Sequence, residues 1–374
     1  MDKILHIVSL DVPYPVNYGG LFDLFYKLEA MSQAGVRIHL HCFAHQKVHQ
    51  QELRKYCEQV FYYERKKGLK GFSLTLPYIV SSRISNELIE RLLQNDHPII
   101  LEGIHSCYLL MDKRFFNRKI IVRLHNVEFR YYGQLFRHAS WGIAKFYYLY
   151  ESRLLKKMEA FVAERASLII AVTDRDMLIY RQLFKAKNIV HLPVFTGFKE
   201  VRAKEGVGCY CLYHGNLSVP ENEKAATWLL RKVFKGITIP FLIAGKNPSD
   251  RLIREVKRYP NASLMANPGE EDMNDIIAKA QLHILPSFNT TGIKLKLLNA
   301  LYNGRHCIVN DAAVEGTGFE SACHIAGNAN GFKSIIAQLY NRPFTDEEIR
   351  LRERLLSTVF NNQENAKRLI QWIW

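Results

Sequence analysis

Short apolar runs alternate with helix-period patterns along the whole 374-residue chain. In the first half the runs fall at 4–10, 36–43, 59–63, 98–102, 119–124 and 168–172. Helical patterns lie between them at 20–34, 49–57, 84–94, 138–165 and 174–184, and a last apolar run stands at 189–193. The alternation resumes with strands at 209–214, 239–244, 262–265, 282–286 and 306–309 and helices at 221–233, 249–257, 270–279, 293–302 and 330–340. Strands that alternate with helices predict parallel sheets covered on both faces. The expected fold class is therefore α/β, with two Rossmann-like doubly wound domains facing a cleft. The expected boundaries are 1–196, 197–344 and a C-terminal helix or helix pair at 345–374. Gly197, Gly206 and Gly208 mark the linker. Thr345 followed by Glu348 is a capping box for the final helix.

Composition agrees with an ordered two-domain protein: 48% of residues are hydrophobic and 23% charged. Charge adds a direction. The 51 Lys+Arg exceed the 36 Asp+Glu by 15, and residues 1–200 hold 29 and 19 of them, an excess of 10. A basic N-terminal half suits an anionic partner such as a phosphorylated substrate or acidic lipid headgroups. Nucleic acid is not expected, because no recognition motif accompanies the charge. The seven cysteines are scattered without CxxC pairs, which argues against a disulfide framework or a zinc site. The chain enters an apolar strand directly after Met1-Asp2-Lys3, and no apolar run reaches 18 residues. Neither a signal peptide nor a membrane span is expected, and a cytoplasmic location is.

Chemistry concentrates after the strands. The run 282–286 leads into Thr290-Thr291-Gly292-Ile293-Lys294-Leu295-Lys296 and a helix. A glycine loop ahead of a helix start, with lysines beside it, makes a place to hold a phosphate. Lys294 and Lys296 point to different sides of that helix, and Lys294, at its start, is expected to face the phosphate. After the first strand comes Asn17-Tyr18-Gly19-Gly20, and after 119–124 comes His125-Asn126-Val127-Glu128. In the second half, Gly215-Asn216 and Gly245-Lys246 follow two successive strands.

Together these residues resemble the GT-B glycosyltransferases, family 4 type. The resemblance rests on Pro15 to Gly20, Arg123 to Glu128, Gly215-Asn216-Leu217, Ile243 to Lys246 and Thr291 to Ala300, in that order. It implies a retaining transferase that moves a sugar from a nucleotide-sugar donor to a glycan or lipid-linked acceptor, with surface polysaccharide or lipopolysaccharide synthesis as its setting. The donor would lie on Gly215, Asn216, Lys246, Thr291, Gly292, Ile293, Lys294 and Asn299. The acceptor would lie on Tyr18, Gly19, Gly20, Asn126 and Glu128. His125 would stand near the transferred sugar as the catalytic residue, and the last helix would cross back to the N-terminal domain. Two positions depart from the family pattern of paired glutamates: Thr291 and Asn299 stand there. No DxD carboxylate pair stands at a strand end, so neither a metal nor another cofactor is expected. The alternatives are a non-catalytic nucleotide-sugar-binding subunit and a nucleotide-sugar epimerase. A mixed aromatic and basic stretch, 138–158, with the basic run Arg65 to Lys70, offers a face for an anionic membrane surface.

Overall fold

The computed structural model describes residues 2–16, 19–44, 50–139, 141–289, 292–315 and 317–374. They form two compact units. One comprises 1–197, 291–293 and 360–374; the other comprises 198–290 and 294–359.

The first unit is built on seven parallel strands: β1 (Ile4–Ser9), β2 (Arg37–Ala44), β3 (Gln59–Glu64), β4 (Ile99–Glu102), β5 (Ile120–Leu124), β6 (Leu168–Ala171) and β7 (Ile189–His191). They lie in the order β3-β2-β1-β4-β5-β6-β7. The strands are apolar at both alternating positions because both sheet faces are covered. Val8, Val122 and Ile169 enter one core cluster, while Ile7, Ile121 and Ile170 enter the other. The second cluster also takes Leu24, Phe25 and Leu28 of the helix Gly19–Gln33 together with Ala366, Leu369 and Ile373 of the helix Asn362–Ile373. The order reverses between β1 and β4, the place where an open α/β sheet leaves a crevice at its carboxyl ends.

The second unit has six strands: β8 (Cys211–His214), β9 (Phe241–Gly245), β10 (Ala262–Ala266), β11 (Leu282–Ile284), β12 (His306–Val309) and β13 (His324–Ile325). Their order is β10-β9-β8-β11-β12-β13, all parallel, with the reversal between β8 and β11. The two-residue β13 at its edge has no counterpart in the sequence pattern, since two residues carry no periodicity.

Three helical expectations change form. The pattern at 138–165 is the helix Ile143–Arg165, and a further helix, Glu128–His138, precedes it outside the expected range. Gly142, at φ 154°, sits immediately before the second helix in a backbone conformation that side chains rarely adopt. The segment at 49–57 is a 3-10 turn, Gln51–Lys55. The helix Pro220–Trp228 widens into a π-helical turn at Leu229–Val233. The C-terminal pair divides between the units: Asp346–Val359 stays with the second and Asn362–Ile373 with the first. The capping box forms, with the Thr345 N–H donating to Glu348 Oε2 at 2.9 Å. No helix of the described residues is long and apolar enough to cross a membrane.

Candidate functional site

A buried ionic cluster lies under the carboxyl ends of β4 and β5. Arg123 donates from Nε to Asp23 Oδ2 and from Nη2 to Asp23 Oδ1, both at 3.0 Å. Lys27, one turn beyond Asp23 on the same helix, lies 3.3 Å from Asp23 Oδ2 and 2.7 Å from Glu102 Oε1. Glu102 Oε2 then meets His125 Nε2 at 3.0 Å, and His125 Nδ1 lies 3.8 Å from Asp23 Oδ2. Burial would raise both carboxyls, but Arg123 and Lys27 outweigh it for Asp23, as do Lys27 and the His125 bond for Glu102. Both therefore titrate below the usual carboxylate range. The His125 ring is held between two carboxylates at the end of β5, which fixes the turn that follows it.

That turn carries Asn126 and Glu128. Glu128 opens the helix Glu128–His138, whose first amides donate to a buried carboxylate: Glu128 N–H to Glu159 Oε1 at 2.8 Å and Phe129 N–H to Glu159 Oε2 at 3.1 Å. Burial pushes the Glu128 carboxyl up to about 7, with Asp176 adding to the rise. A group that shares a proton at neutral pH suits acid or base chemistry. Gly292, at φ 65°, closes on the same turn: its N–H donates to Asp176 Oδ2 at 3.2 Å. A Cβ there would collide with Asn126 Oδ1 and sit 2.7 Å from the His125 carbonyl oxygen. Only glycine allows this approach.

In the second unit the ends of β8 and β9 cross closely. A Cβ on Gly245 would run into the Gly215 carbonyl, and Gly215 itself has φ 154°. Beyond this crossing lies a polar knot. Lys296 donates to Asn222 Oδ1 at 2.9 Å and to the Tyr213 hydroxyl at 3.1 Å, with its ammonium 4.8 Å over the Tyr213 ring. Asn222 also donates to the Asn216 carbonyl at 2.9 Å. Burial lowers the Lys296 ammonium to about 8, so its charge lies close to titration at neutral pH. Ser287, after β11, bonds Asn310 in both directions at 2.8 Å and reaches Glu221 Oε1 at 3.1 Å.

The candidate residues group as follows. His125, Asn126, Glu128 and Gly292 come together in the first unit, with Ile293 beside them in sequence; Gly19 and Gly20 open the helix that carries Asp23 and Lys27. Gly215, Asn216 and the inward-turned Lys296 come together in the second. Lys294 is the N-cap of the helix Leu295–Asn303. Lys246 is exposed, and its carbonyl receives the Leu217 N–H at 2.8 Å. Asn299 accepts from Asn303 one turn on, at 2.8 Å. Tyr18 and Thr291 lie outside the described residues. Asp23, Lys27, Glu102, Glu159, Tyr213 and Asn222 were not anticipated. A charged pair four apart inside an otherwise apolar helix, Asp23 and Lys27, is the signal that points to the first two.

Residues 208–342, which include Gly215 and Lys296, match the family model described as Glycosyl transferases group 1. The chain carries a glycosyl transferase group 1 domain over those residues and has the fold of the GT-B glycosyltransferases. A Klebsiella pneumoniae protein described as an uncharacterized 44.6 kDa protein in the cps region is 29% identical over 341 residues, covering 85% of each chain. The glycosyltransferase fold extends to both units. Sucrose-phosphate synthase from Thermosynechococcus elongatus superposes with a TM-score of 0.72 at 16% identity, over 99% of this chain and 98% of that one. Anabaena HepE, solved with UDP-glucose, does so at 0.67 and 10%, over 98% and 99%. S. aureus TarM, solved with UDP and glycan ligands, gives 0.68 and 10%, over 99% of both chains.

Proposed function

We propose that this glycosyltransferase moves a sugar from a nucleoside-diphosphate donor to a glycan or lipid-linked acceptor in surface-polysaccharide synthesis, with retention at the anomeric carbon. The observation that carries the donor assignment is the Lys296 ammonium, half-buried and hydrogen-bonded beside Gly215 and Asn216 within the group 1 domain. A diphosphate there meets a positive charge that water screens little. Departure of the diphosphate puts negative charge on its oxygens, and Lys296, the adjacent Lys294 and the amides at the helix start stabilise that charge as it develops. His125, held by Glu102, positions the sugar from the turn that Gly292 closes. Glu128 is the group suited to receive the acceptor's proton. The HepE and TarM structures hold UDP, which supports a uridine donor, and the cps-region relative supports a capsule-type product. A thermal-shift screen with UDP, GDP, ADP, CMP and dTDP tests the reading; no shift with any of them, and no turnover of any nucleotide sugar, removes it.

A second observation favours work at a membrane surface. Leu69, Trp141 and Ile143 are 91%, 84% and 91% exposed, and Phe72, Leu74 and Phe146 are exposed with them. The Tyr150 hydroxyl donates to the Leu74 carbonyl at 2.6 Å, which joins the 69–74 segment to the helix Ile143–Arg165. Lys66, Lys67 and Lys70 adjoin the first segment in sequence, and Lys145 stacks on Trp141. Apolar side chains among lysines suit an anionic leaflet. Co-sedimentation with phosphatidylglycerol vesicles should be lost in a Trp141→Ser/Ile143→Ser variant; equal sedimentation with neutral vesicles overturns this location.

A further inference from the structure

At the amino end of the second sheet, away from the strand ends that carry the donor residues, a small cavity is lined by His306, Cys323, His324, Phe344, Glu348 and Arg352. His306 opens β12, His324 opens the edge strand β13, and Glu348 lies in the first turn of the helix Asp346–Val359. One ligand atom from each of His306, His324 and Glu348 falls within 4.8 Å of the other two.

The protons of this site can be placed. His306 Nε2 lies 3.2 Å from the Arg342 carbonyl, which can only accept, so Nε2 carries the hydrogen. Nδ1 of a neutral ring is then a bare lone pair. It is fully buried, has no hydrogen-bond partner, and faces Glu348 Oε1 at 3.4 Å. Glu348 is turned this way because its other oxygen, Oε2, caps the helix at Thr345. The bare Nδ1 and the Glu348 oxygen that faces it offer two donor atoms for a cation.

We propose that His306, His324 and Glu348 bind one divalent ion of the zinc class, which staples β12 and the two-residue strand β13 to the helix Asp346–Val359. Zinc bonds to nitrogen and oxygen are about 2.0–2.2 Å, so tetrahedral ligand atoms stand roughly 3.3 Å apart, close to the His306–Glu348 spacing already present. The Arg342 carbonyl on His306 Nε2 is the outer partner that orients a ligating imidazole. The exposed Arg342 guanidinium, 3.7 Å from Glu348 Oε1, has to swing out. Arg352 is committed elsewhere, to the carbonyls of Leu301 and Gly304. Cys323 lines the same cavity, and a water completes the fourth position of the proposed ion.

The test uses the full chain, dialysed against chelator and titrated with zinc chloride alone. Calorimetry should give one ion per chain, and the melting temperature should rise by about 3 °C or more once zinc exceeds its dissociation constant about tenfold. His324 is half-buried with open space beside it, so His324→Ala should fold and bind at least ~30-fold more weakly. Unchanged binding in that variant, or uptake that never saturates at one ion, overturns the site. If the variant fails to fold, cobalt added to the wild type decides: visible bands of a tetrahedral centre support the site, and the spectrum of the aqueous ion rejects it.

Discussion

Arg123 grips Asp23 through two parallel hydrogen bonds of 3.0 Å, with the two side chains 2% and 0% exposed. The carboxylate comes from the first helix and the guanidinium from β5, and Arg123 also donates to the carbonyls of Leu192 at 2.6 Å and Pro193 at 2.9 Å. One side chain thus ties the helix, the β5 end and the segment after β7. Asp23→Asn removes the charge that balances Arg123 and Lys27. Breaking one partner of a buried pair costs about 3–5 kcal/mol, and urea unfolding should show a loss of that order. A loss under about 1 kcal/mol would mean that water reaches the pair.

His125 hangs from the same cluster through Glu102. His125→Ala should lower the turnover number about 10²-fold, the scale on which misplacing a bound substrate acts, while the dissociation constant for the free nucleoside diphosphate stays within about twofold. Equal losses in both would place the ring at the donor instead.

Lys296 and Lys294 separate by their surroundings. Lys296 is bonded to Asn222 and Tyr213, and Lys294 is the helix N-cap. A charged hydrogen bond is worth about 1.5–3 kcal/mol, so Lys296→Met should weaken diphosphate binding ~10- to 100-fold, and Lys294→Ala should weaken it less. The free protein holds the Lys296 ammonium at about 8. Wild-type affinity should therefore fall as pH rises from 7 to 9, because only the charged form attracts phosphate. Titration calorimetry across that range should show proton uptake on binding, and the Lys296→Met variant should show neither trend.

The fold was legible because both sheets are buried on two faces. The expected strand at 59–63 is Gln59–Glu64, that at 306–309 is His306–Val309, and the helix expected at 270–279 is Glu270–Lys279. Apolar runs bounded by glycine or polar residues report such elements directly. Of the candidate site, only residues that follow a strand end, such as His125 and Gly215, stood out in the sequence. Asp23, Lys27 and Glu102 were hidden because their meaning lies in one another: a charge inside an apolar helix has no partner in the sequence until β4 and β5 are laid beside it. Which of Lys294 and Lys296 turns inward to Tyr213 and Asn222 is set by tertiary placement, which no local spacing encodes.

Gly292 and Gly245 should both refuse a methyl group, with different outcomes. At Gly245 the obstacle is the Gly215 carbonyl, which belongs to backbone on a neighbouring strand. Gly245→Ala should cost about 3 kcal/mol or more, as overpacking against an immovable neighbour does, read as a lower melting temperature. At Gly292 the obstacles are the Asn126 side chain and the His125 carbonyl oxygen, 2.7 Å from an added Cβ, and φ is 65°. Gly292→Ala should lower the melting temperature less than Gly245→Ala does, and it should cut turnover. The added change Asn126→Ala should restore part of it. No restoration would show that backbone strain, not the Asn126 contact, is what matters.

Acid should weaken the first unit through a chain of buried histidines. Arg118 and the His97 N–H both donate to Asn95 Oδ1, so His6 Nε2, 2.9 Å away, must carry a hydrogen. His6 Nδ1 then accepts from His41 Nε2 at 2.8 Å, and His41 Nδ1 accepts from the Tyr63 hydroxyl at 2.8 Å. Every ring nitrogen is used, and a proton added to either ring sets two donors against each other. Burial lowers His6 to about 4 and His41 well below its ordinary value, and the nearby His39, Arg118 and Arg91 push the same way. The folded state therefore binds fewer protons than the unfolded one below about pH 6.5. Each ring's contribution is complete above that pH and falls by up to about 1.4 kcal/mol per unit toward pH 4. Glu128 and Glu159, raised by burial to about 7 and 8, work in the opposite direction, gaining stability as pH falls toward 4.5. The comparison that isolates the histidines is wild type against His41→Gln, by urea unfolding at pH 7 and pH 5. The gap between them should narrow at pH 5, because the variant has no imidazole to protonate at that position. A gap that stays constant would show that His41 keeps an ordinary affinity for its proton inside the sheet.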